Sequence, residues 1–233
     1  MVVVMEILRE YFLLFMIYSI IGWIMEVVYT LFTEKKLSNR GFLIGPYCPI
    51  YGVGVVLILA LLSRFKDDIA ILFILAIVVC SLLEYFTSYF MEKIFKARWW
   101  DYSNNKFNIN GRICLETMIP FGLIACFVVS FLNPMIVDGL NNLPDTVLNS
   151  IAIILAIIFV ADVILSFNIV NNFKTTVKSA ASLTIDRTDD VNKYVKKMLL
   201  ERSIFHRRLI KAFPKIQALP KISAKIKDKI KKD

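Results

Sequence analysis

Four uninterrupted apolar runs decide what this chain can become. They cover residues 11–32, 69–91, 113–137 and 147–170, and each exceeds the roughly 20 residues that carry an α-helix across a bilayer. A fifth run, 47–63, is uncharged but shorter. In lipid every backbone amide must be satisfied within its own segment, so runs of this length fold as helices. Composition agrees: 58% of the 233 residues are hydrophobic and mean hydropathy is +0.65. An ordinary soluble domain is excluded.

The first run is too long for a cleaved signal peptide and has no small-residue cleavage site, so it is read as a retained helix. The predicted fold is an all-α integral membrane protein with five transmembrane helices and a basic amphipathic cytoplasmic helix. The second transmembrane helix is short, and a Gly/Pro-rich broken segment precedes it. Half of the eight glycines and two of the seven prolines fall in residues 41–54. Gly and Pro interrupt helices, and irregular backbone at membrane depth has to be buried in protein or line a wet cavity.

Charge divides the chain in two. Residues 1–170, the expected bundle, hold 11 Lys and Arg against 13 Asp and Glu. Residues 171–233, the expected tail, hold 17 against 6. Across the bundle, basic residues number three over 33–46, five over 93–112 and none over 138–145. With five spans, the positive-inside rule places the first two of these loops and the tail in the cytoplasm and the N-terminus outside.

From about 191 to 213 apolar residues recur at helical spacing, with Lys193, Lys196, Lys197, Arg202, Arg207, Arg208 and Lys211 between them. Such a helix beside a bilayer is expected to lie on anionic lipid; self-association through its apolar face is the rival. Nucleic-acid binding is disfavoured because no recognisable module accompanies the charge.

The polar residues able to do chemistry are few. Glu26, Glu84, Glu116 and Asp162 each stand inside a long apolar run, and an intramembrane charge costs roughly 2.5–3.5 kcal/mol on insertion scales. Such residues face the bundle and mark a site or a buried pair. On the third helix Cys80, Glu84 and Ser88 recur every four residues as a polar stripe. Residues 97–116 hold Arg98, Trp99, Trp100 and Asp101, then Asn110-Gly111-Arg112. Paired indoles beside charges fit interfacial anchoring, while Asn-Gly forms turns and implies a shaped connection. The planar guanidinium suits bidentate carboxylate pairing. Glu26 and Glu84 are therefore expected to face inward and to contact at least one of Arg40, Arg98 and Arg112.

Several chemistries are missing. The chain has no Gly-x-x-x-x-Gly-Lys-Ser/Thr, no His-Glu-x-x-His and no Gly-x-Ser-x-Gly. One histidine and four unpaired cysteines, read as reduced and structural, predict no metal site and no cofactor.

The run Asn39-Arg40-Gly41-Phe-Leu-Ile-Gly45-Pro46-Tyr47-Cys48-Pro49-Ile50-Tyr51-Gly52 resembles the bacterial CmpB-like membrane family described as putative ABC-transporter type IV. So do Leu83-Glu84-Tyr85, Arg98-Trp99-Trp100-Asp101-Tyr102 and Asn108-Ile-Asn110-Gly111-Arg112-Ile-Cys114-Leu. Gly22, Trp23 and Glu26 fit its first helix, and the likeness covers about residues 11–135. The resemblance implies a permease-like transport subunit in the bacterial plasma membrane. It would have a cytoplasmic-side polar site and would depend on a separate cytoplasmic ATPase. Membrane lipids and further copies of the chain are the other expected partners. The rival readings are a membrane enzyme acting on a lipid or cell-wall precursor at the inner leaflet, and a scaffold without chemistry.

Overall fold

The computed structural model describes residues 2–35, 39–95 and 97–182, together with 207, 208, 212, 217 and 218. The apolar runs are helical. α1 (Val2–Glu34) extends the first run at both ends. α2 (Pro49–Leu62) begins with proline in its first turn, where the missing amide is no loss, and a short 3₁₀ turn, Ser63–Phe65, ends it. α3 (Ile69–Phe95) follows. α4 (Leu115–Phe127), a wide turn over Val128–Leu132 and α5 (Asn133–Asn141) form one continuous stretch. α6 (Asp145–Ser182) continues past residue 170 without a break.

Among the described residues four stretches are long and apolar enough to cross a membrane: Val3–Thr33, Ile69–Phe95, Leu115–Asn141 and Asp145–Ile169. Pro49–Phe65 is apolar but shorter. Its 17 residues rise about 25 Å at 1.5 Å each, against a hydrocarbon core of about 30 Å.

The wide turn has a local cause. Pro134 cannot donate to the carbonyl four residues back, and its ring would strike it. Asn133 instead donates to Val128, five residues back, which opens the turn.

α1 packs on α2, α2 on α3 and α3 on α4, while α6 lies against α1 and α3. Between helices in lipid the hydrophobic effect does little, so close approach through small residues carries the packing. Gly22 lies under the ring of Tyr51, and Gly52 lies against the Phe15 carbonyl and Ser19. Leu14, Tyr18, Ile58, Leu59, Leu72, Ala76, Ala125 and Val128 form the main core between α1, α2, α3 and α4. On the outside, α6 exposes Ile153, Ile154, Ile157, Ile158, Ile164 and Leu165, a face suited to lipid.

The connections gather at two ends. At one end Arg9 forms a 2.7 Å ion pair with Asp145, joining the start of α1 to the start of α6. At the other, segment 39–48 meets 97–114: Phe42 packs on Phe95 and Trp99. Residues of the tail come to the same end. β1 (Ala97–Arg98) pairs antiparallel with β4 (Gln217–Ala218), while β2 (Asn108–Ile109) pairs with β3 (Ile113–Cys114) to make a small hairpin.

Candidate functional site

Segment 39–48 is non-helical and lies against α1 and α6, so its amides need partners outside a helix. Asp162 of α6, 8% exposed, supplies the largest share. Its carboxylate accepts from the Ile44 amide at 2.9 Å, the Gly45 amide at 2.6 Å, the Tyr47 hydroxyl at 2.5 Å and the Ser166 hydroxyl at 2.7 Å. The Cys48 amide donates to the Ser19 carbonyl at 2.8 Å. Asn39, held by the Trp23 indole at 2.6 Å, donates to the Ile44 carbonyl. One acidic side chain thus fastens an irregular segment across two helices. Asp162 has no free valence left for a substrate.

The tail adds to the same segment. Arg208 donates to the Gly41 and Leu43 carbonyls. Burial lowers its pKa, while Asp162 nearby works the other way. Arg208 is half-buried on the bundle, and Arg207 is exposed. Lys193, Lys196, Lys197, Arg202 and Lys211 lie outside the described residues, as does most of the amphipathic helix predicted over 191–213.

The second connection is built around a turn. Asn110 and Gly111 both have positive φ, 53° and 66°, and the Arg112 amide donates to the Ile109 carbonyl at 3.0 Å. A Cβ on Gly111 would strike Asp101 Oδ1 and Ser103 Oγ. Asp101 accepts from the Ser103 hydroxyl at 2.6 Å and its amide at 3.1 Å, and Arg98 pairs with it at 3.3 Å. Partial burial raises the carboxyl's pKa, but Ser103 and Arg98 outweigh it and hold Asp101 below the ordinary value. Trp100 donates to the Arg112 carbonyl at 3.1 Å. Trp99, 3% exposed, is packed against Phe42 and Phe95 rather than standing as an exposed anchor.

The turn delivers Arg112 to the face of α3. The residue is 8% exposed; its guanidinium donates to Ser88 Oγ at 3.1 Å and pairs with Glu92 at 2.9 Å. It also lies over the rings of Tyr85 and Tyr89, at 5.7 and 5.6 Å. Arg98 reaches the same Glu92 oxygen at 3.2 Å. The expected arginine–carboxylate network exists, but its acid for Arg98 and Arg112 is Glu92, not Glu26 or Glu84. Arg40 donates to Thr30 Oγ1 at 2.9 Å.

Glu26 and Glu84 are held by tyrosines instead. Tyr51 of α2 donates to Glu26 at 2.6 Å, and Tyr102 donates to Glu84 at 3.2 Å. Burial, then the Glu84 carboxylate, raises the pKa of Tyr102. Glu116 is exposed and accepts from Asn105 at 2.6 Å, and Asn110, also exposed, donates to Tyr85 at 3.0 Å; both stand at the rim. The four cysteines are unpaired. Among the described residues no cluster of His, Cys, Asp and Glu suits a metal ion.

Sequence reasoning overlooked Glu92 and the tyrosines. Glu92 had a signal: the stripe of Cys80, Glu84 and Ser88 reaches it at the next four-residue step. Tyr51 and Tyr102 had none, because each meets its acid from another element, 25 and 18 residues away in sequence.

No curated protein and no solved structure matches the chain. A model of the family described as Putative ABC-transporter type IV matches residues 13–167. That match covers more than half of the chain and takes in the four polar assemblies around Asp162, Glu92, Glu26 and Glu84. The chain is a membrane protein of the Putative ABC-transporter type IV family.

Proposed function

We propose that this chain is a permease-like transport subunit of a bacterial plasma membrane. It crosses the bilayer five times, with Pro49–Phe65 as the short span, and works with a separate ATPase. The observation carrying the proposal is segment 39–48: irregular backbone whose amides are answered by Asp162 on another apolar helix. Backbone of this kind in a membrane protein is tolerated where it is protein-buried or lines a cavity, and interrupted helices recur at transporter sites. The family match supports the same reading.

The end where 39–48, 97–114 and the tail meet would be cytoplasmic by the positive-inside rule. An ATPase would dock there. The chain has no nucleotide-binding Gly-x-x-x-x-Gly-Lys-Ser/Thr of its own. An enzyme acting on a phosphorylated precursor would want arginines open to the substrate, yet Arg98 and Arg112 both lean on Glu92. The permease reading is therefore preferred.

The test is purification from native membranes in mild detergent, with ATPase assay and cross-linking from residues 39–48 and 97–114. A co-purifying nucleotide-binding subunit cross-linked to those segments is the expected result. A preparation without ATPase activity that turns over a bound lipid precursor would overturn the proposal.

A further inference from the structure

Glu84 stands near the middle of α3, 11 residues before its end at Phe95, or about 16 Å at the helical rise. It is 6% exposed. One carboxyl oxygen accepts from Tyr102, while the other, Oε2, is buried without a hydrogen-bond partner. One turn earlier on α3, the hydroxyl of Ser81, also 6% exposed, is likewise buried and unpartnered. Thr117 of α4 lies beside the carboxyl, but its hydroxyl already donates to the Cys114 carbonyl at 2.9 Å. A hydroxyl has one proton to give, so the Cys114 carbonyl and Glu84 compete for the one on Thr117.

The surrounding charges do not neutralise an ionised Glu84. Arg112 sits one turn further along α3 on Ser88, and its ion pair goes to Glu92. From α1, Glu26 adds a second carboxylate close enough to be felt, capped by Tyr51 of α2. Among the described residues, Cys80 on α3 itself and Tyr102 from the 97–114 connection, with Cys114 beside Tyr102, are further titratable neighbours. None of them brings a positive charge. An isolated buried carboxylate is expensive, and such a group neutralises instead. A protonated carboxyl removes that buried charge and, where the Thr117 proton goes to Cys114, can donate to the Thr117 oxygen beside it.

We propose that Glu84, set between Tyr102 and Thr117 with the Glu26–Tyr51 pair beside it, is an exchangeable proton-binding site inside the helical bundle. It takes up a proton within the bundle and releases it as pH rises. The assignment rests on local geometry alone and stands whether or not the permease reading does.

Hydrophobic carbodiimides modify protonated carboxyls in apolar surroundings, so labelling of the full chain in liposomes, mapped by peptide mass spectrometry, tests it. Glu84 should be labelled at neutral pH and several-fold less at alkaline pH. The infrared band of a protonated carboxyl should be present in the wild type and lost in Glu84→Gln. Tyr102→Phe keeps the carboxyl and removes the donor that favours its ionised form, so its labelling should persist to more alkaline pH. This variant carries the test if Glu84→Gln fails to fold. Labelling at Glu84 that is absent or indifferent to pH would overturn the proposal. So would protection by sodium chloride without an infrared band, which would mark a metal-cation site instead.

Discussion

At the scale of single residues, the same side-chain types serve different ends according to what else reaches them. Glu92, with 16% of its side chain exposed, balances two guanidiniums, so removing Arg112 takes away one ion pair and leaves Arg98 as the remaining partner. Breaking a fully buried pair costs about 3–5 kcal/mol; because Glu92 keeps some solvent, Arg112→Ala is expected to cost roughly 2–4 kcal/mol. Thermal unfolding in detergent should show the losses of Arg112→Ala and Glu92→Gln adding to less than their sum in the double variant. Arg112→Lys should recover little, since an ammonium cannot bridge Ser88 and Glu92 while lying on two rings. Additive losses in the double variant would refute the pairing.

Asp101 gives a pH prediction at the same scale. Its carboxyl is held below the ordinary value, so its stabilisation of the 97–114 connection is fully present above about pH 4, the unfolded value. It is lost as pH falls through the lower folded value. Hydrogen exchange of the 101–112 peptide should therefore quicken under acid in the wild type. Asp101→Asn should show the quickened exchange at every pH.

Among the elements, the α1–α2 contact depends on how near two backbones can come. Gly52 lies against the Phe15 carbonyl, a partner that cannot rotate away, whereas a Cβ at Gly54 would meet only Leu83 at an ordinary 3.4 Å. Gly52→Ala is expected to cost about 1–3 kcal/mol as overpacking. Gly54→Ala should be neutral or gain up to about 1 kcal/mol from helix propensity. Equal melting temperatures for the two variants would show that the helices separate freely at this contact. Length and hydropathy made the four long helices legible, and the glycines and prolines of 41–54 made the broken segment legible. What holds that segment was not, because Asp162 lies more than a hundred residues away and reaches it only through packing of α6 on α1.

For the whole molecule, the end at which 39–48, 97–114 and the tail assemble is the quantity that orientation fixes. Reporter fusions after Lys36 and Lys106 are expected to read as cytoplasmic, and fusions after Ser63 and Asn141 as external. A cytoplasmic signal after Asn141 would invert the orientation. The tail should also protect the segment it touches. Arg208 caps the Gly41 and Leu43 carbonyls, and Cys48, buried beside them, donates to the Arg40 carbonyl. In a chain whose other three cysteines are alanine, deleting 190–233 should leave the bundle inserted yet raise maleimide labelling of Cys48 several-fold. Arg208→Ala should do the same, and an unchanged rate in both would mean the tail is not a cover.

Residue order alone made plain that the chain is helical and membrane-embedded, which runs form its long helices, where the backbone breaks, and that Arg98, Arg112 and the α3 stripe belong to polar assemblies. These are local properties: helix length against bilayer thickness, hydropathy, and the four-residue recurrence of side chains on one face. Partnership was settled by packing. Nothing local states that Glu92 rather than Glu84 meets the arginines, that tyrosines from other elements cap Glu26 and Glu84, or that Arg208 turns inward. Each depends on which faces of α1, α3 and α6 come together, and close packing sets that through glycines and aromatic rings. The unpartnered oxygen of Glu84 arises at that level too, from a hydroxyl committed to a neighbouring carbonyl and a guanidinium committed one turn away.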